Sequence, residues 1–310
     1  MVVIGSLIFD FVAFTQRMPE QGETVEGYAF GMYPGGKGAN QAVQVGRLGG
    51  LCYMIGMVGN DFMGRTIIES LQSSNVNTDY IAQTESTHTG SCCIFVDASG
   101  QNRIVMVPQA NHCFSCADLD RVEHVVAQCD IVLMQLELPL PVVEYAVCMA
   151  KRHDRIVILN PAPFREFRSE IVQQVDVITP NYTEAKGLAG LAAREPSLTE
   201  LGARMRSIKK HGWTVVTLGS NGALVVTETD MVHVPAYRIE AVDETAAGDA
   251  FNGALAYALA AGKAPLEAVK YANAAGALAA MRRGAQPSIG TRREIDQLIT
   301  EQGYLKEMTL

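Results

Sequence analysis

Short, uniformly apolar runs alternate with longer stretches of helical periodicity along most of this chain. The apolar runs lie at 2–4, 52–58, 131–135, 156–159, 175–178, 215–218, 223–226 and 232–234. Such runs, without polar alternation, read as strands covered on both faces, the pattern of a parallel sheet. Helical spacing of apolar positions predicts helices over 38–48, 63–73, 117–127, 141–152, 198–211, 248–261, 265–280 and 292–301. The alternation predicts an α/β fold, a doubly wound, mostly parallel sheet flanked by helices, with ligands at the carboxyl ends of the strands.

Two stretches break this rhythm. Residues 24–33 and 91–107 lack helical period, and the second is two apolar strands around Asp97-Ala98-Ser99-Gly100-Gln101-Asn102, a hairpin signal. With no repeat, low-complexity tract or long linker, 1–310 reads as a single domain carrying an insertion. At 310 residues and 48% hydrophobic, the chain can bury a large core. A net charge of −8 without a basic stripe argues against nucleic acid as a partner. No apolar run is long enough to span a bilayer, and 2–5 reads as a strand rather than a signal peptide. Among seven cysteines, Cys52, Cys92, Cys93, Cys129 and Cys148 lie in apolar contexts and read as small core residues, which suits a reducing cytoplasm. Cys113 and Cys116 form a Cys-x-x-Cys, but no second Cys pair or spaced His pair accompanies them. A zinc site needs about four ligands, so this is a loop with two incidental thiols.

Candidate chemistry concentrates in two small-residue segments. In Val242-Asp243-Glu244-Thr245-Ala246-Ala247-Gly248-Asp249, a run of small side chains ends in a carboxylate where a helix begins. Backbone N–H groups of Ala246, Ala247 and Gly248 can close around an anion, aided by the helix dipole. Asp249 is then either a dipole-favoured acid at an ordinary helix start or a general base beside an anion hole. The second segment, Pro34-Gly35-Gly36-Lys37-Gly38-Ala39-Asn40-Gln41-Ala42, opens a helix whose buried face reads Ala39, Ala42, Val43 and Gly46. Its glycines let the backbone approach a ligand, and Lys37 and Asn40 add polar groups there. Residues 31–38 imitate the start of a Walker A loop, but Gly38 stands where Ser or Thr should hold Mg²⁺. It is not a P-loop.

In order and spacing, these two segments resemble the two signature regions of the ribokinase family, the PfkB carbohydrate kinases. Further motifs agree over essentially the whole chain, nearest to those of the ribokinase branch. They are Met134-Gln135-Leu136-Glu137, Leu159-Asn160-Pro161-Ala162-Pro163, Thr179-Pro180-Asn181-Tyr182-Thr183-Glu184, Thr217-Leu218-Gly219-Ser220-Asn221-Gly222 and Arg283-Gly284-Ala285-Gln286-Pro287-Ser288. The resemblance implies a ribokinase-like fold with a small β-sheet lid over the sugar, inserted at about 9–36 and 88–109. It implies ATP, Mg²⁺ and K⁺ as cofactors and a homodimer formed through the lid.

Roles follow from the same resemblance. Asp249 would take the proton from the primary hydroxyl, with Ala246, Ala247 and Gly248 as the anion hole. Asp10, Gly36, Lys37, Asn40 and Glu137 would hold the sugar. Asn181 and Glu184 would position Mg²⁺ and phosphate through water, although Asn181 also suits a plain helix cap. Thr217, Gly219 and Gly222 match the nucleotide-binding turn, and Asn273 the adenine pocket. The K⁺ site would comprise the Asp243 carboxylate, carbonyls of Thr245, Ala279, Arg282 and Gly284, and the Ser288 hydroxyl. Glu244 stands where the family usually has Thr, which bears on cation preference.

The sugar site departs at one position. Where ribokinases carry Gly-Ser-x-Asn-x-Asp, this chain has Gly5-Ser6-Leu7-Ile8-Phe9-Asp10. Ile8 offers no hydrogen bond, and an unpartnered buried sugar hydroxyl costs about 1–3 kcal/mol. The expected substrate is D-ribose, with 2-deoxyribose or another furanose or nucleoside as alternatives. A non-catalytic sugar-binding protein is a further alternative, against which a retained Asp249 argues.

Overall fold

The computed structural model describes residues 1–166, 168–303 and 306–310. Its large sheet runs, from edge to edge, Met308–Thr309, Met231–Val234, Ala223–Val226, Trp213–Thr217, Val177–Ile178, Ile156–Leu159, Ile131–Met134, Val2–Ile4, Cys52–Gly59 and Val76–Asn77. Ile81–Thr84 also pairs with Cys52–Gly59. Pairing is parallel from Val76–Asn77 through Trp213–Thr217 and antiparallel beyond. The mostly parallel, doubly wound sheet expected from the pattern is therefore present.

Side chains alternate between two apolar layers, which is why the strands read as unbroken apolar runs. Val3, Leu133, Ile158, Val177 and Val215 face one core with the helices Lys37–Arg47, Ala247–Ala260 and Pro265–Ala280. Val2, Ile4, Val132, Met134, Val157, Leu159 and Ile178 face the other, covered by Leu140–Arg152 and its neighbours. Strand order reverses around Val2–Ile4, so the carboxyl ends of Val2–Ile4 and Ile131–Met134 open a crevice at the switch point.

A second sheet of four strands has the order Gly27–Gly35, Ile8–Thr15, Gly90–Val96, Asn102–Val107. It contains the expected hairpin, closed over residues 97–101, and grows directly from the central strand through Gly5-Ser6-Leu7. At that joint, buried Asn111 accepts from the Leu7 N–H at 2.8 Å and donates to the Leu7 carbonyl at 2.9 Å.

Several expectations shift. The helix expected over 117–127 is broken at Val122 (φ −115°, ψ 10°) into Cys116–Arg121 and Glu123–Gln128. The strand expected over 175–178 shrinks to Val177–Ile178, and the helix over 198–211 ends at Ile208. Cys93 is exposed because it alternates with buried Cys92 along its strand, and Cys148 is only half-buried beside Gln174; neither is a core residue. Among the described residues, no helix is long and apolar enough to cross a membrane.

The helices Lys37–Arg47 and Ala247–Ala260 cross at Gly253. A methyl group there would stand 2.6 Å from the Gln41 carbonyl oxygen and 2.7 Å from Gln44 Cβ. Gly253→Ala should therefore destabilise the fold by about 1–2 kcal/mol, overpacking outweighing a helix-propensity gain of about 1 kcal/mol. Urea unfolding should give a lower midpoint at an unchanged slope; an unchanged or raised midpoint would show that the helices can part at no cost.

Candidate active site

Asp249 is buried in the first turn of Ala247–Ala260, behind an N-cap, Ala246, with left-handed φ of 60°. Each carboxylate oxygen receives a side-chain amide from the facing helix. Asn40 Nδ2 donates to Oδ2 at 2.9 Å and Gln41 Nε2 to Oδ1 at 3.0 Å. Gln41 Oε1 in turn accepts from Gln135 Nε2 at 2.7 Å, and its Nε2 also reaches Asn160 Oδ1 at 3.2 Å. Asn160 donates to the Thr179 carbonyl, Thr179 Oγ1 to Asn252 Oδ1, and Asn252 Nδ2 to the Gly248 carbonyl beside Asp249. These groups form a closed, buried ring around the strand ends. Asn40 Oδ1 and Gln135 Oε1 are buried without a protein partner.

Charged groups crowd the same floor. Burial would weaken the Lys37 ammonium, yet the carboxylates of Asp249, Glu137 and Glu184 hold its pKa above the ordinary value. Burial pushes the Asp10 carboxyl up to about 7, reinforced by Glu137 and Asp249 and opposed by a Cys92 hydrogen bond and Lys37. Asp10 shares its strand face with Ile8 two residues earlier, and Ile8 is 2% exposed. Glu137 Oε2 accepts from the Lys37 N–H at 3.0 Å and from the Ser6 hydroxyl, stitching the switch point together. Gly36, the N-cap of Lys37–Arg47, has φ 90° and sits against the backbone of Ser6 and Ile8.

On the other side of Asp249 lie the groups expected to meet a nucleotide. Asn181 caps the helix Tyr182–Leu188 in a reciprocal box: its side chain accepts from the Glu184 N–H and Glu184 Oε2 from the Asn181 N–H, both 2.8 Å. Burial pushes the Glu184 carboxyl up. Asn181 bridges to Thr217, which leads into the single 3₁₀ turn Gly219–Asn221 and then Gly222. The space in front of Gly219 and Gly248 is open, as a phosphate cradle requires. At the expected anion hole, the Ala247 N–H donates to the Glu244 carbonyl at 3.1 Å. Asn273 gives its amide to the carbonyls of Val234 and Pro235 at 3.4 and 3.1 Å, so it shapes the loop as a buried brace.

Around the expected monovalent-cation site, Asp243 is tied to Thr245 and Gly284. Burial alone would raise the Asp243 carboxyl, but the Gly284 N–H at 2.9 Å and the Thr245 N–H and hydroxyl hold it below its ordinary value. The Ala280 carbonyl accepts from the N–H groups of Val242 and Asp243, the Ala279 carbonyl accepts from the Arg282 N–H, and Ser288 is fully buried with its hydroxyl donating to Ala285. Arg282 donates its side chain to Glu294. Among the described residues, no three His, Cys, Asp or Glu side chains gather as metal ligands. A separate cavity of about 430 Å³, lined by Tyr53, Tyr80 and His124, opens at the amino ends of the strands, far from these groups.

The structure thus gathers Asp10, Lys37, Asn40, Glu137, Glu184 and Asp249 on one floor. Sequence reading missed Gln41, Gln135, Asn160, Thr179 and Asn252 as parts of the ring, although each lies in or beside a motif. Buried amides in otherwise apolar helix and strand ends were the available signal.

Comparison with known proteins agrees with this geometry. Residues 1–292 match the profile of the pfkB family carbohydrate kinases. The chain is 38% identical over 258 residues to a deoxyribokinase of Salmonella typhi, covering 82% of this chain and 84% of the relative. It is 36% identical over 302 residues to the ribokinase of Bacillus subtilis, covering 96% and 98%. The ribokinase structure from Thermotoga maritima superposes with a TM-score of 0.89 at 35% identity, covering 96% of this chain and 98% of that one. Arabidopsis thaliana ribokinase, solved with ribose and ATP, gives 0.90 at 29% identity, covering 96% and 97%. The ordered motifs, the fold and these relatives converge: the chain belongs to the pfkB family of carbohydrate kinases and is a sugar kinase.

Proposed function

We propose that this enzyme transfers the γ-phosphoryl group of ATP to the primary hydroxyl of a pentose, converting D-ribose to ribose 5-phosphate. The observation that carries the reading is Asp249, buried at a helix N-terminus with open space before Gly248 and gripped by Asn40 and Gln41. Each oxygen accepts one amide and keeps a further lone pair, so the carboxylate is oriented and still able to take a proton. Lys37 offsets the negative charge of the floor, and the N–H groups at the head of Ala247–Ala260 stabilise charge on the transferring group. Asn40 Oδ1 accepts from a sugar hydroxyl, Asp10 and Glu137 from others, and the small sheet excludes water from the reacting pair.

Mg²⁺, held through water by Glu184 beside Asn181, would neutralise the nucleotide phosphates; the oxygen donors suit a hard cation. K⁺ would sit among the Asp243 carboxylate, the Ser288 hydroxyl and the neighbouring carbonyls, adding fixed positive charge behind the anion hole. The two sheets form one enzyme domain over 1–310, the smaller acting as the lid. Phe30, Met32, Phe95, Val105 and Val107 line one exposed face of that lid, which favours a homodimer formed there. Seven free thiols suit the cytoplasm.

A second reading, 2-deoxyribose as substrate, rests on Ile8. A buried aliphatic side chain on the Asp10 face leaves one hydroxyl of ribose without a partner. A deoxyribokinase is among the similar proteins, beside ribokinases.

Asp249→Asn should retain fold and nucleotide binding and lose turnover by roughly 10²- to 10⁴-fold, measured as ADP release with a pentose. Near wild-type turnover would remove Asp249 from the mechanism. Omitting K⁺ should lower the rate, and equal rates with and without K⁺, NH₄⁺ or Cs⁺ would leave the Asp243 cluster without a catalytic cation. Ile8→Asn should raise the ribose-to-deoxyribose ratio of kcat/KM by roughly tenfold or more; an unmoved ratio would make Ile8 a core residue only. In the same assays KM for both sugars should rise as pH falls through about 7, where Asp10 takes up a proton and loses acceptor capacity. Asp10→Asn should weaken both sugars and abolish that pH dependence; a dependence that persists would assign it elsewhere.

A further inference from the structure

We infer that Gln41 is a positioning residue for proton abstraction, the group that sets the plane of the Asp249 carboxylate. The inference rests on Asp249 being the base, and its test is built to fail separately from that reading.

Gln41 is fully buried, and each end of its amide has a different assignment. Gln135 Nε2 donates to Oε1 at 2.7 Å, which leaves Nε2 facing Asp249 Oδ1 and Asn160 Oδ1, at 3.0 and 3.2 Å. A flipped amide would set donor against donor at Gln135, so the orientation is determined by its neighbours. Asn40 holds the other carboxylate oxygen at 2.9 Å. One donor on each oxygen stops the carboxylate rotating about Cβ–Cγ, whereas Asn40 alone would leave it hinged on a single bond.

The two donors have different surroundings. Asn40 keeps Oδ1 unpartnered, and under the proposed function that oxygen serves the sugar. Gln41 has both ends engaged inside the protein and no atom left for the sugar. Its effect on turnover must therefore pass through Asp249. A stability role alone would be served better by an aliphatic side chain, since an amide buried between two helices needs all its partners supplied. Here they come from three elements: the ends of Ile131–Met134 and Ile156–Leu159, and the helix Ala247–Ala260.

The test uses the full chain with ATP and a pentose. Gln41→Met keeps the volume and removes the donor. It should lower kcat by roughly ten- to a hundredfold with KM for both substrates within about twofold. Combined with Asp249→Asn, it should cause no further loss, because nothing remains to be positioned. An unchanged kcat, a raised sugar KM, or the same fractional loss in the Asp249→Asn background would overturn the inference. If Gln41→Met fails to fold, Gln41→Asn decides, since it keeps an amide but draws it back from Asp249 Oδ1 by one methylene. That variant should show a several-fold fall in kcat at constant KM, and a wild-type kcat there would equally overturn the inference. Wild-type turnover in Asp249→Asn itself would instead sink the base assignment on which it stands.

Discussion

The helix carrying Asp249 and the helix carrying Asn40 and Gln41 meet where Gly253 has no side chain, and the floor of the site depends on that distance. Only with the two backbones this close can two short amides each reach one carboxylate oxygen. The strand ends supply the rest of the frame. Gln135, Asn160 and Thr179 follow three neighbouring parallel strands, and their side chains fill the layer between sheet and helices with hydrogen bonds instead of methyl groups. Every amide donor named in this ring has a partner, whereas the carbonyl oxygens of Asn40 and Gln135 are buried without one.

Asn181 and Glu184 illustrate how a structural and a chemical reading can share one pair of residues. The reciprocal cap uses Asn181 Oδ1 and Glu184 Oε2. A capped helix start is rigid, and rigidity is what a group that orients hydrated phosphate needs. The cap therefore supports the proposed role instead of competing with it. Asn273 likewise gives its amide to two loop carbonyls.

Much of the large sheet was legible because its strands are apolar on both faces. Val2–Ile4, Ile131–Met134 and Ile156–Leu159 need no knowledge of their neighbours to be recognised. Val76–Asn77 and Met308–Thr309 are too short to carry a pattern, and Ile8–Thr15 alternates too weakly to announce a half-exposed strand. In the site, Asp249, Lys37 and Asn40 were legible from small-residue runs beside charged and polar groups. Gln41 was quoted within the same motif and still missed, because its partners lie 94, 119 and 208 residues away. A local pattern records which residues can be close to a turn; it holds no record of which distant amide will face them. Cys93 and Cys148 failed for a related reason, apolar neighbours in sequence being a poor guide to the side of the element a thiol occupies.

Leu7 lies between the two sheets, with both of its backbone polar groups held by the side chain of Asn111. The root of the small sheet is thus clamped to the large one, and Ile8 and Asp10 travel with the catalytic floor. Any opening of the small sheet has to bend the outer part of Ile8–Thr15, beyond Ile8 and Asp10, the residues proposed to read the sugar. With the sugar held as proposed, substrate entry leaves that geometry standing, so each sugar would meet a preassembled template with only its outer rim in motion.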